Sequence, residues 1–172
     1  MSRIIIVTDS TADLTEQEIQ DFNIHVVPLN ITIQEEHYLD GETITKEEFK
    51  NKMIASSELP MTAQPSIGRF VELYDELGKD GSEIISIHLM NSISGTVNAA
   101  RQAADITEST VTVVDSDFTS RSMGIIVREA ANAAKEGKSA EEVLEVIEST
   151  RERTKLYLTV LNLDNLIKGG RI

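Results

Sequence analysis

Four β-branched residues, Ile4-Ile5-Ile6-Val7, run without alternation into the polar stretch Thr8-Asp9-Ser10-Thr11. An uninterrupted apolar run that stops at polar residues suits a strand covered on both faces, so this segment is predicted to lie centrally in a parallel sheet. Ile84-Ile85-Ser86-Ile87 and Val111 to Val114 repeat the pattern and lead into the polar loops NSISGT and DSDFTS,. Leu156 to Leu161 is predicted as one more strand. From Ile24 the stretch IHVVPLNITI passes through Pro28 and then alternates; with EEHYLDG it reads as extended chain folding into a hairpin that ends at Asp40-Gly41,. Pro28 has no N–H to give a ladder, which places it at an edge or a bulge.

Helix signals fill the intervals. Thr15 and Thr45 each have a glutamate three residues on, the spacing of a capping box, and predict helices to about Asp21 and Ser56,. Ser66 can cap a helix carrying Ile67, Phe70, Val71 and Tyr74, with LPMTAQPS as the loop before it,. NSISGT opens into the small-residue helix VNAARQAA, and helices near Ser122 to Lys135 and Ser139 to Arg153 follow. Strands alternating with helices in this way imply right-handed crossovers, hence an α/β fold with a mostly parallel sheet covered by helices on both faces.

Composition narrows the function classes. At 172 residues and 40% hydrophobic content, one ordinary core and one domain are expected,. Twenty-nine acidic against 16 basic residues give a formal charge of −13, which repels nucleic acid and anionic surfaces, and no run of Lys and Arg offsets it. The apolar run near the N-terminus is far too short for a signal peptide or a spanning helix, so no stable membrane insertion and a cytoplasmic location are expected. The lack of cysteine removes thiolate catalysis and Cys-ligated zinc. His25, His37 and His88 stand far apart with no HxH or HxxxH partner, and no metal is expected,. No glycine-rich nucleotide loop and no GxSxG elbow occur, so the parts for nucleotide binding and serine hydrolysis are missing, and the chain is expected not to be an enzyme.

In open parallel sheets ligands sit at the carboxyl ends of the strands, where DSTADL, NSISGT and DSDFTS are predicted to converge. Ser94-Gly95-Thr96 enters a helix whose first N–H groups have no intrahelical partner, an arrangement suited to a carboxylate or phosphate. The plainer alternative, Ser94 or Thr96 as a simple N-cap, stands beside it. Thr62, in the loop before Pro65, is either a second hydroxyl for the same crevice or a turn residue. Asp9 and Asp13 flank a Ser-Thr pair; one reading makes Asp9 the nucleophile of a phosphatase or acyl transferase, the other makes both loop caps.

Taken in order, IIIVTDSTADL, VVPLNI, TAQPS, SISGT, VDSDFTSRSMG and LIKGGRI resemble the DegV family from one end of the chain to the other. The resemblance implies a protein that binds a long-chain fatty acid such as palmitate, with the carboxylate held by Thr62 and Ser94 and supported by Gly95 and Thr96. It implies no cofactor. It also implies a partner, the ATP-binding subunit of a fatty acid kinase, to which the carrier presents the carboxyl group for acyl phosphate formation. Met90-Asn91 depart from a pair of serines common in the family, and Ala63 from the usual residue after the loop threonine. Family members continue past GGRI into a helix-rich second domain that covers the acyl chain. Residues 1–172 are therefore expected to correspond to the N-terminal domain, with the C-terminal domain absent and Arg171 serving ligand or partner in the intact form. A truncated partner-binding or regulatory domain without lipid is the alternative.

Overall fold

The computed structural model describes residues 3–160 and 163–170. In chain order these form β1 (Ile4–Asp9), α1 (Glu16–Phe22), β2 (His25–Val27), β3 (Asn30–Ile33), β4 (Glu36–Leu39), α2 (Lys46–Ala55), β5 (Met61–Ala63), α3 (Ile67–Gly78), β6 (Glu83–His88), α4 (Thr96–Ile106), β7 (Val111–Asp115), α5 (Ser120–Lys135), α6 (Ala140–Arg153) and the short α7 (Asp164–Lys168). The main sheet has the order β2-β1-β6-β7 and is parallel throughout.

The two unalternated apolar runs, β1 and β6, are its inner strands, because only an inner strand has both faces to bury. Ile6, Ile85 and Ile87 project to one side, against Met123, Ile126 and Val127 of α5 and Val143 and Ile147 of α6. Ile5, Val7 and Ile84 project to the other, against Phe70 and Tyr74 of α3 and the alanines 99, 100 and 103 of α4. The small side chains of α4 let its backbone approach the sheet closely. Helices thus cover both faces, as the alternation of elements implied.

Capping follows the sequence closely. Thr15 with Glu18 and Thr45 with Glu48 form the two expected boxes, Ser66 accepts the Arg69 N–H, and Ser139 with Glu142 adds a third box. Pro28 lies just beyond the edge strand β2, where the chain leaves the main sheet.

Beyond it lies an arrangement the periodicity did not reveal, a second, antiparallel sheet of order β4-β3-β5. β3 and β4 form the expected hairpin, turning at Gln34 and Glu35, whose φ angles of 51° and 69° give the twist a two-residue hairpin needs,. LPMTAQPS, read as a loop, contains β5, which pairs Asn30 with Ala63, Ile31 with Thr62 and Thr32 with Met61. Three residues are too few to show alternation. Ile31, Ile33 and Ile44 form a separate small cluster with Tyr38 and Phe49. α2 lies over it yet buries no side chain; Lys46 pairs with Asp13 at 2.9 Å and Lys52 with Glu36 at 2.9 Å.

The strand predicted over Leu156 to Leu161 does not form. Residues 154–160 belong to no helix or strand, Tyr157 and Leu158 are 91% and 79% exposed, and no strand among the described residues supplies a ladder to them; Leu161 lies outside the described residues. A β-prone pattern without a partner edge has nothing to hold it extended. No helix among the described residues is long and apolar enough to cross a membrane.

Two features of α5 carry consequences. A Cβ added at Gly124 would come within 2.3 Å of the Ala12 carbonyl oxygen in the turn after β1. Gly124→Ala is expected to lower stability by about 1–3 kcal/mol, the range for overpacking a backbone contact, measured by urea denaturation. Arg121 binds Glu18 of α1 through two nitrogens, at 2.7 and 2.5 Å. That pair, with the Thr15 N–H second, brings the Glu18 carboxyl down to about 2. A depressed carboxylate stabilises the fold above its unfolded value of about 4.5 and loses that contribution as pH falls toward 2. Arg121→Ala should raise the Glu18 midpoint part of the way to 4.5 in a carboxyl-carbon NMR titration; an unmoved midpoint would mean that the Thr15 contacts alone set it.

Candidate functional site

The carboxyl ends of β1, β6 and β7 open into three loops that are tied to one another. DSTADL joins NSISGT through Asp9, which accepts the Leu89 N–H at 3.1 Å. NSISGT joins DSDFTS through Met90 N–H to the Phe118 carbonyl at 2.9 Å and Asn91 N–H to the Asp115 carboxylate at 3.2 Å. DSDFTS returns to DSTADL through Ser120 Oγ, donating to Asp13 at 2.6 Å, and Arg121, donating to the Asp13 carbonyl at 3.3 Å. The convergence expected of a parallel sheet is therefore present and cross-braced.

At the start of α4 neither Ser94 nor Thr96 is the N-cap. Gly95 holds that position and brings no side-chain hydrogen bond. Ser94 Oγ accepts the Thr96 N–H at 3.3 Å and shares a hydrogen bond with Thr96 Oγ1 at 2.9 Å. The half-buried Ser94 hydroxyl and the buried Thr96 thus form a small polar unit beside the positive end of the helix,.

Thr62 is exposed on β5. As the cross-strand partner of Ile31, it shares a face of the small sheet with Ile31 and Tyr38,. The end of β5 is anchored by Asn30, whose Nδ2 donates to the Gln64 carbonyl at 3.0 Å. The side chain of Gln64 then covers Gly95: an added Cβ there would lie 1.9 Å from Gln64 Oε1. That contact brings the TAQPS and SISGT segments together, and glycine at 95 permits it. Arg171, the remaining predicted site residue, lies outside the described residues.

Asp9 is no exposed nucleophile. Its side chain is fully buried and accepts hydrogen bonds from the Thr11 N–H and hydroxyl at 3.0 and 2.6 Å, from the Leu89 N–H, and from His88 Nδ1 at 3.0 Å. Burial pushes its carboxyl up, but the hydrogen bond from His88, with those from Thr11 and Leu89, outweighs that and holds it below the ordinary value of 3.8,. Asp9 caps the turn Ser10–Ala12, the capping role that stood beside the enzymatic one. Asp13 is a tie as well, taking Lys46 and Ser120 on its two oxygens.

A cavity of about 570 Å³ opens beside the turn after β1. Leu14, Ile19, Val26 and Pro28 supply apolar wall, together with Asp13, Glu16, Asp40, Glu42, Glu47 and a lone cation, Lys46. Neither Thr62 nor Ser94 lines it. A wall so rich in carboxylates repels an anionic head group.

Sequence reasoning missed Gln64 and the Asp9–His88 contact. Gln64 gives no motif of its own; its role follows from β5, which was too short to detect. Asp9 and His88 end adjacent parallel strands, a register visible only once β1 and β6 are paired.

The chain matches the family model described as uncharacterised protein, DegV family, over residues 3–172. A DegV domain-containing protein of Listeria innocua is 49% identical, over 100% of this chain and 62% of its own length. Among solved structures, a DegV family protein from Thermus thermophilus, described by its fatty acid binding, superposes with a TM-score of 0.87 at 35% identity, covering 98% of this chain and 60% of the other. DegV from Bacillus subtilis, described as a fatty acid binding protein, gives 0.90 at 32% identity, covering 99% and 61%. The chain spans about three fifths of the length of these relatives. With the family model matched almost from end to end and the fold shared with solved members, the chain belongs to the DegV family.

Proposed function

We propose that this chain is a lipid-binding α/β domain that holds a long-chain fatty acid by its carboxylate, without catalysing a reaction of its own. The observation that carries this reading is the contact of Gln64 with Gly95, which joins the segment that carries Thr62 to the segment that carries Ser94 at the start of α4. Solved relatives described with vaccenic acid and heptadecanoic acid support the ligand class. Gly95 and Thr96 support the head-group site, Gly95 through its backbone and Thr96 through its hydroxyl.

The ligand's two ends contribute differently. Hydrogen bonds to a charged carboxylate are each worth roughly 1.5–3 kcal/mol and fix its position. Each buried methylene adds about 0.8 kcal/mol, so the acyl chain dominates affinity. The absence of a nucleotide loop fits a carrier that presents its carboxyl group to a separate kinase subunit, where ATP converts it to an acyl phosphate. A second reading, a partner-binding domain without lipid, is favoured by the exposed apolar residues Leu156, Tyr157, Leu158 and Val160,.

Equilibrium dialysis with radiolabelled palmitate tests the carrier reading. Wild-type chain should bind about one equivalent, and Thr62→Ala and Ser94→Ala should each weaken binding by about ten- to a hundredfold, the loss of one charge-assisted hydrogen bond. Folded wild-type chain that takes up no palmitate would sink the reading and favour the second. Gly95→Ala separates position from chemistry: it removes no donor, and the flexible Gln64 can swing aside. It should leave the melting temperature nearly unchanged while weakening palmitate binding severalfold, and equal binding would detach Gln64 from the site.

A further inference from the structure

Four buried side chains on three elements form one line of hydrogen bonds. Tyr74 of α3 donates its hydroxyl to Ser86 Oγ of β6 at 2.8 Å. Ser86 Oγ lies 2.7 Å from His88 Nε2, and His88 Nδ1 lies 3.0 Å from Asp9 Oδ2 at the end of β1. All four side chains are 0% exposed. The Phe70 ring of α3 meets the imidazole edge-on, with centroids 5.1 Å apart.

The direction of this line follows from its end. An ionised carboxylate only accepts, so Nδ1 of His88 carries a hydrogen. If Nε2 accepts the Ser86 hydroxyl, that hydroxyl in turn accepts from Tyr74, and every donor in the line has a partner. If Nε2 donated instead, Ser86 Oγ would receive two donors and its own hydrogen would be left in a dry interior.

The same carboxylate divides its oxygens between two loops. Oδ1 takes both donors of Thr11 in the turn after β1, and Oδ2 takes His88 Nδ1 and the Leu89 N–H at the start of the loop leading to Ser94. At the far end of the line, Tyr74 belongs to the helix that begins immediately after the Thr62 segment. The line therefore runs from the start of the loop that leads to Ser94 to the helix that follows the Thr62 segment.

Resting on the carrier reading above, we propose that Asp9 is a positioning residue for the fatty-acid site: through Leu89 it fixes the Ser94 loop, and through His88, Ser86 and Tyr74 it holds that loop in register with the helix that follows Thr62. Asp9→Asn keeps the volume but places an N–H₂ group where Oδ2 stood. It then faces the Leu89 N–H donor to donor, and it donates to His88 Nδ1, which reverses the imidazole tautomer.

Long-range proton–nitrogen correlation spectra of the nitrogen-15-labelled chain, in which the histidines are only 25, 37 and 88, read that tautomer, and palmitate dialysis reads the site. In wild type the His88 hydrogen should sit on Nδ1; in Asp9→Asn it should move to Nε2 and palmitate binding should weaken at least tenfold. Ser86→Ala leaves the Asp9 contacts with Leu89 and Thr11 whole but breaks the hydrogen-bonded path from Tyr74 to His88, and should weaken binding at least threefold; it decides the matter if Asp9→Asn does not fold. Wild type binding palmitate while folded variants bind equally well overturns the positioning role alone, as does a wild-type hydrogen on Nε2. Wild type that takes up no palmitate overturns the carrier reading and this role with it.

Discussion

The buried carboxylate of Asp9 is the constraint on which the upper edge of the sheet depends. A charge with no exposure is tolerable only when its lone pairs are filled, and here four donors from two loops fill them,. That requirement fixes the turn after β1 against the start of the loop after β6. DSDFTS is braced to both, so three polar loops that would otherwise sample many conformations share one arrangement.

This rigidity bears on how a strongly acidic protein would accommodate the proposed carboxylate ligand. Around the cavity beside α1 the carboxylates outnumber the single ammonium, and an anion placed there meets like charge. At the start of α4 the available groups are hydroxyls and backbone N–H donors, whose dipoles attract a carboxylate without a cation to compete for it,. Donors of that kind act only at short range and in correct orientation. A head-group site built from them depends on fixed loops more than one built on lysine would.

Much of the main sheet was legible because its signals are long. Ile4 to Val7 and Ile84 to Ile87 are apolar at every position but one, and each capping box states where a helix starts. The polar loops fell at the strand ends because parallel topology puts them there. The rest was hidden by length and by distance along the chain. β5 has only three residues, all exposed, and shows no alternation. Gln34 and Glu35 turn a hairpin without the glycine or asparagine that would announce it. Leu156 to Val160 carries a strand-like pattern, but strand formation needs a partner edge, which local sequence cannot display. Ser94 and Thr62 were candidates from the helix start and the loop before Pro65, and the family resemblance singled them out, whereas the contact that joins their segments belongs to Gln64 and Gly95.

α2 differs from every longer helix of the fold in having no buried side chain. Phe49 only leans on the small cluster, and Lys46 and Lys52 reach exposed carboxylates on the turn after β1 and on β4. Surface ion pairs contribute little individually and are screened by dissolved salt. The attachment of this helix accordingly rests on Phe49 and on contacts that dissolved salt weakens, whereas the longer helices are held by fully buried side chains. Screening the two pairs with salt therefore bears on the seating of α2 against the small sheet and leaves the buried contacts of the parallel sheet untouched,.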